Sequence, residues 1–489
     1  MKKVLVLLLC LCMVLPALAT AGGSALEPVT LRFIFLGDKR AATDEVWDAI
    51  ADKYRDVLNA DFDVQFIPMD DYKQKLLVMA AAGESWDMNY CGAWLGYHQM
   101  TAMDAYMDLS SLMPEYAPDL YKLYQEVGAI DSMTHKGKLI ALPWTMGKLN
   151  NRTNIMWRAD LAKEAGISVD PAAIDTFEDA YEVLAQLHAA YPDRYIIEYA
   201  SRDSFLLKYS LVDIGNNMVV DLKAGDHKVM PIEQTQAYLE FAMAAEKLQN
   251  DGLIWKDILN DKTDKNTLIN QGQLIAKWGT YEFARSARTF VEDGAYWEYA
   301  FLYADGLSPN RSPLGNIVAI SDTSENPERT LMFLNLLQND KELYDLVHYG
   351  IEGTTYVLSG EEAVYPEGMN GASSNYMGWG GRWALWSPEF MRPDYTYYKD
   401  FWHEENFFAE SNPNNVVSPY DGFSLDTEDI SIELAERDQV HIDAHKLIEV
   451  GLAGDAQTAV NSLIENQKAN AEIIVKEAQA QVDAYIAGK

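Results

Sequence analysis

Cysteine is scarce in this chain: Cys10, Cys12 and Cys91 are the three in 489 residues. The first two lie in the apolar start MKKVLVLLLCLCMVLPALATAGG, which leaves one thiol beyond it. A single thiol excludes an internal disulfide, so the folded part must stand on its packed core. Positive charge is scarce too. Lys and Arg number 39 against 74 Asp and Glu, a formal charge of −35. That balance argues against nucleic acid and anionic lipid as partners, and acidic residues keep a chain dispersed. After the first residues no apolar run approaches the roughly 18 needed to cross a bilayer. There is no P-loop, no GxGxxG and no GxSxG. "HIDAH" sets His441 and His445 one helical turn apart. It lacks the Glu of HExxH and a third ligand, so it reads as a surface helix and no metal or cofactor is expected. Cys91 reads as a small buried residue rather than a nucleophile. With 74 carboxylates any glycosidase-like pair can be chosen, so such pairs carry no signal without geometry.

What is present begins with the leader. Lys2 and Lys3 precede an apolar run from Val4 to Leu15, Pro16 breaks it, and Ala19-Thr20-Ala21 fits a signal-peptidase site. Residues 1–21 read as a signal peptide. No cysteine follows a small residue at the cut, so the expected mature chain is periplasmic or secreted and not lipid-anchored. Cleavage removes two positive charges and no negative one, leaving the chain still more acidic. The 48% hydrophobic and 11% aromatic composition excludes disorder, and the length leaves room for two or three domains.

"VTLRFIFL" (Val29 to Leu36) alternates and is β-branched. Helical spacing follows at Val46, Ile50, Tyr54 and Leu58, then "FDVQFIP" as strand, "DDYKQKLLVMAAAG" as helix and "WDMNYCG" as strand. Alternating strands and helices predict βαβ units and a mainly parallel sheet. Ligands on such sheets sit at the strands' carboxyl ends, which selects the loop after Leu36 (Asp38, Arg40) and the loop after Tyr90 (Cys91, Ala93, Trp94). "GKLIALP" reads as turn, strand and stop. A crossover between lobes is placed at Trp144 to Leu149. A second helix–strand series runs to about Phe301, with Trp278 and Tyr281 at a strand's carboxyl end. The last sixty residues read as helical, with Leu463, Ile474, Ala478, Val482 and Ile486 on one apolar face.

Four stretches in this order resemble one known family: "GKLIALP", "MWRADLAKEAGI", "SDTSENPERTLMFLNLLQNDKELYDLVHYGIEG" and "NNVVSPYDGFSLDTEDISIELAERDQV". The chain resembles an extracellular solute-binding protein of family 1, the sugar-binding receptor component of ABC importers. The last two stretches resemble the subgroup with a C-terminal domain of unassigned function, DUF3502. The resemblance implies an α/β, two-lobe, periplasmic-binding-protein-like fold with a hinge, an interlobe ligand cleft and a helical C-terminal region. Lobe 1 would take residues 26–147 and about 303–349; lobe 2 would take 148–302 and about 350–489. It implies a monomeric receptor, not an enzyme, whose partners are a carbohydrate ligand, an oligosaccharide in the family's manner, and the transmembrane subunits of a permease. The alternative from another class is a secreted glycoside hydrolase; a third reading is a sensor delivering ligand to a membrane receptor.

Sugars present apolar C–H faces and many hydroxyls, which aromatic rings, carboxylates, amides and Arg satisfy. The chain holds 12 Trp and 28 Tyr. "YMGWGGRWALW" (Tyr376 to Trp386) sets rings on a glycine-loosened backbone, and Trp379 and Trp383 are expected to form a stacking wall there. The candidate ligand-binding residues are Asp38, Arg40, Trp94, Trp144, Trp278, Tyr281, Glu352, Trp379, Arg382 and Trp383. Arg311 and Asn316 are weaker candidates, and Trp157 reads as packing.

Overall fold

The computed structural model describes residues 26–143, 152–255, 257–261, 263, 268–269, 271–279, 295–310, 312–371, 373–393 and 412–488. The expected leader, the Trp144 to Leu149 crossover, Tyr281 and Arg311 lie outside the described residues.

Strand β1 (Val29–Leu36) pairs in parallel with β2 (Ala60–Ile67) along its whole length, from Val29↔Ala60 to Leu36↔Ile67. On its other side β1 pairs in parallel with β3 (Met88–Cys91) through Phe33↔Met88. Phe33, Ile34, Phe35 and Leu36 are all buried, the signature of a strand covered on both faces. The helix Thr43–Lys53 buries Val46, Trp47 and Ile50; Tyr54 and Leu58, one and two turns on, are buried as the spacing predicts. Gly83 ends the next helix, Met69–Ala82, because its φ of +66° is left-handed. The sheet continues from β3 to the strand Ile317–Ile320 and then to Leu142–Pro143, both antiparallel steps. Chain order reverses around β1, which makes a crevice at the carboxyl ends of β1 and β3. Because Ile317–Ile320 runs the other way, its leading residue Asn316 arrives at that same end.

A second core surrounds a sheet in which Asn154–Arg158 lies between Ala276–Gly279 and Trp297–Phe301, both antiparallel to it. A further antiparallel sheet joins Leu211–Asp213, Met218–Asp221 and Val229–Pro231. The expectation of a mainly parallel sheet therefore holds only for β1 to β3. The long helical excursion after Arg158 returns at the same end of the sheet, with Ala276 beside Trp157, which a local pattern does not encode. Lobe boundaries need correction as well. The first core contains Tyr356, Ala363, Tyr376, Met377, Trp379, Ala384 and Leu385, so the chain does not leave it at Tyr349. The helices Ser431–Ile448 and Ala456–Ala487 form the C-terminal hairpin. Leu463, Ile474, Ala478 and Val482 are buried and Ile486 is partly so. Asp455 caps the last helix, its Oδ1 accepting from the Thr458 amide at 2.8 Å. Among the described residues no helix is long and apolar enough to cross a membrane.

His441 is buried and His445 half-buried, where a surface helix would expose both. Their rings stack at 5.5 Å, and His445 Nδ1 meets Tyr238 Oη at 3.0 Å. Burial lowers both to about 4, and burial lowers His348, in the first core, to about 3. Each is neutral in the fold but takes a proton in the unfolded chain below about pH 6.5. The unfolded state then binds more protons, so stability falls as pH drops from about 6.5 toward 4. A thermal melt series across that window should show the fall. His441→Gln with His445→Gln should flatten it; an equally steep profile in that variant would remove these two residues as the cause.

Candidate ligand-binding site

The carboxyl ends of β1 and β3 are where the aromatic loop arrives. Gly380 lies so close to β1 that a Cβ there would stand 2.3 Å from the Leu36 carbonyl oxygen, and one on Gly381 would stand 3.3 Å from the Leu36 amide. Only glycine permits that approach. It delivers Trp383 to Tyr90, at the end of β3. Trp383 Nε1 donates to Tyr90 Oη at 2.7 Å, and Tyr90 Oη donates to Asn316 Oδ1 at 2.7 Å. The Tyr90 and Trp383 rings meet edge-on at 5.8 Å. Trp94 also lies beside Tyr90, 6.3 Å between centroids, with its Nε1 donating to the Gly315 carbonyl at 2.9 Å. Gly92 is fitted as tightly as Gly380, since a Cβ there would stand 2.4 Å from the Gly315 oxygen. Burial raises the Tyr90 phenol well above its ordinary range, so it stays a neutral donor. Tyr90, Trp94, Asn316 and Trp383 thus make an uncharged cluster of rings and one amide. Trp94 is 53% exposed and Trp383 is half-buried, so ring surface remains for a ligand.

The other candidates divide. Trp379 is 1% exposed, packs on Phe35 (4.8 Å) and Phe66 (5.9 Å), and donates from Nε1 to the Val347 carbonyl at 2.9 Å. It is a core residue, which corrects the two-tryptophan wall. Trp278 is also core: it is 6% exposed in the second lobe, with Nε1 donating to the Tyr199 carbonyl at 2.8 Å. Its position alternates onto the buried face with Ile155 and Ala300, so a strand-end location did not bring it to the surface. Arg382 is buried, donates to the Trp379 carbonyl at 3.4 Å and lies 5.9 Å from the Trp386 ring centre, a loop-holding role. Asp38 is exposed in the loop after β1. Arg40 is half-buried and donates to the Ser374 carbonyl at 3.4 Å, so that loop and the aromatic loop are joined. Glu352 is exposed, in a bridge with Tyr356. Trp144 and Tyr281 lie outside the described residues. Sequence reasoning passed over Tyr90, which it used only as the landmark before Cys91. The available signal was a tyrosine as the penultimate residue of a central strand, one turn before a tryptophan.

Cys91 is fully buried, and burial pushes its thiol up to about 11. In the chain without residues 1–21 we expect no reaction with a thiol reagent at pH 8 in the native protein and one equivalent after unfolding; rapid native labelling would contradict this burial. Among the described residues no group of His, Cys, Asp and Glu is arranged to hold a metal ion.

Comparison with known proteins fits this architecture. The family model "Domain of unknown function (DUF3502)" matches residues 419–487. A "Carbohydrate ABC transporter substrate-binding protein" of Streptococcus pneumoniae serotype 4 is 23% identical over 486 residues, covering 96% of this chain and 93% of that protein. The crystal structure of the N-glycan transport solute binding protein NgtS of S. pneumoniae superposes with a TM-score of 0.78 at 20% identity, over 94% of this chain and 99% of that one. Its complex with Man1GlcNAc gives 0.74 at 21% identity, over 94% and 100%. The chain thus has the fold of the solved solute binding protein NgtS and carries a DUF3502 match over its C-terminal residues 419–487.

Proposed function

We propose that the chain is the solute receptor of an ABC importer, binding a neutral oligosaccharide and handing it unchanged to the transmembrane permease subunits. The observation that carries the reading is the Tyr90–Trp94–Trp383–Asn316 cluster at the carboxyl end of the first-lobe sheet. Its rings suit the C–H faces of a sugar, its amide and phenol suit hydroxyls, and it presents no ionised group to demand a charged ligand. The relatives support the same class, since one is a carbohydrate receptor by name and another was crystallised with Man1GlcNAc. Ligand contacts favour a closed arrangement of the lobes, and the permease reads that shape. The receptor acts as an exported, unlipidated monomer, with its mature start near Gly22.

Calorimetric titration with a panel of mannose- and N-acetylglucosamine-containing oligosaccharides tests the reading. Saturable binding with the ligand recovered intact is the expected result. Shortened products after incubation would turn the reading toward a glycoside hydrolase.

A further inference from the structure

The C-terminal region is fastened to the second lobe by a buried ion pair and by its apolar face. Arg437 donates to both Glu233 carboxylate oxygens, at 2.8 and 2.9 Å, and neither side chain is exposed. Val460 and Leu463 of the last helix belong to the second core. The segment before the hairpin is held to the same body. Tyr420 Oη lies 2.8 Å from His227 Nδ1, and the Asp426 backbone exchanges two hydrogen bonds with the Gln481 side chain, at 2.8 and 2.9 Å. The same short segment reaches the first lobe. Ser424 Oγ lies 2.8 Å from His98 Nδ1, and Lys136 Nζ donates to Asp426 Oδ2 at 3.2 Å. Gly422, at φ +83°, sits so close that a Cβ would stand 3.2 Å from the Asp131 carbonyl oxygen. Neighbouring Tyr97 and Met133 are part of the first core. Just upstream, Asn415–Val416 pairs in parallel with Ser308–Pro309, in the stretch that carries the chain from Tyr303 of the second core to Leu314 of the first.

We propose that residues 415–426, most of them within the DUF3502 match, are an interlobe brace that sets the angle of the lobes before ligand binds. One strap touches the first lobe, the hairpin on the second lobe and a crossing strand between them. Any rotation of one lobe against the other must therefore stretch or slide these contacts, so they favour one arrangement. The proposal rests on the two-lobed fold and not on the identity of the ligand.

The test is made on the ligand-free full chain. Spin labels at Glu45→Cys in the first lobe and Gln186→Cys in the second report the interlobe distance by pulsed dipolar spectroscopy; both positions are exposed. Ser424→Ala with Lys136→Ala should broaden or displace that distance while the melting temperature holds. Gly422→Ala, which perturbs the strap by bulk rather than by deletion, should displace it too. Distance distributions superimposable on the unsubstituted protein in both variants would overturn the brace. Because no sugar is present, failure of the saccharide reading would leave this result unaffected.

Discussion

Trp379→Ala is expected to destabilise the ligand-free protein by about 3–5 kcal/mol, the usual cost of truncating a large buried aromatic. The ring fills the space between Phe35 and Phe66 on β1 and β2, and its Nε1 satisfies the Val347 carbonyl. Removal leaves a cavity beside two strands and takes one of its two donors from the Val347 carbonyl, which keeps the Tyr376 hydroxyl at 2.8 Å. The glycines around it serve the same packing, since Gly380 lets the loop backbone touch the Leu36 carbonyl. Denaturant unfolding monitored by circular dichroism measures the loss. A change under about 1 kcal/mol would mean that the ring is not core, and the stacking-wall assignment would return.

Trp94→Ala should do the reverse. The ring is 53% exposed and held by one hydrogen bond to Gly315, so its removal leaves little cavity. Stability should stay within about 0.5 kcal/mol. Saccharide affinity should fall by about 1–3 kcal/mol, the value of the ring area and ring-specific contacts a sugar face loses. Titration and an apo melt on the same preparation separate the two variants: Trp379→Ala moves the melt, Trp94→Ala moves the affinity. Unchanged affinity in Trp94→Ala would withdraw this ring from the site.

The contrast between these tryptophans marks how far the sequence could be read. The strand at Val29–Leu36 and the helical spacing from Val46 to Leu58 are local, and the structure keeps both, although Phe33 to Leu36 are buried on both faces rather than alternating. So is the strand-end logic that selected Trp94. Burial of Trp379 is not local. It depends on Gly380 meeting β1, more than 340 positions earlier, and a glycine beside a ring looks the same in a ligand loop as in a tight backbone contact. The antiparallel second sheet escaped for the same reason, because strand direction is decided by where a long excursion returns. The family resemblance gives the residues after Tyr349 to the second lobe. Their aromatic side chains nevertheless pack into the first core. Tyr90 was missed because its role is a relay between Trp383 and Asn316, which come from two distant segments.

Closure of the two lobes on a saccharide is the centre of the account. Small-angle scattering of the ligand-free protein, and of the protein saturated with an oligosaccharide that calorimetry shows to bind, measures it directly. The account predicts a smaller radius of gyration in the saturated protein. An unchanged radius at saturation would contradict it.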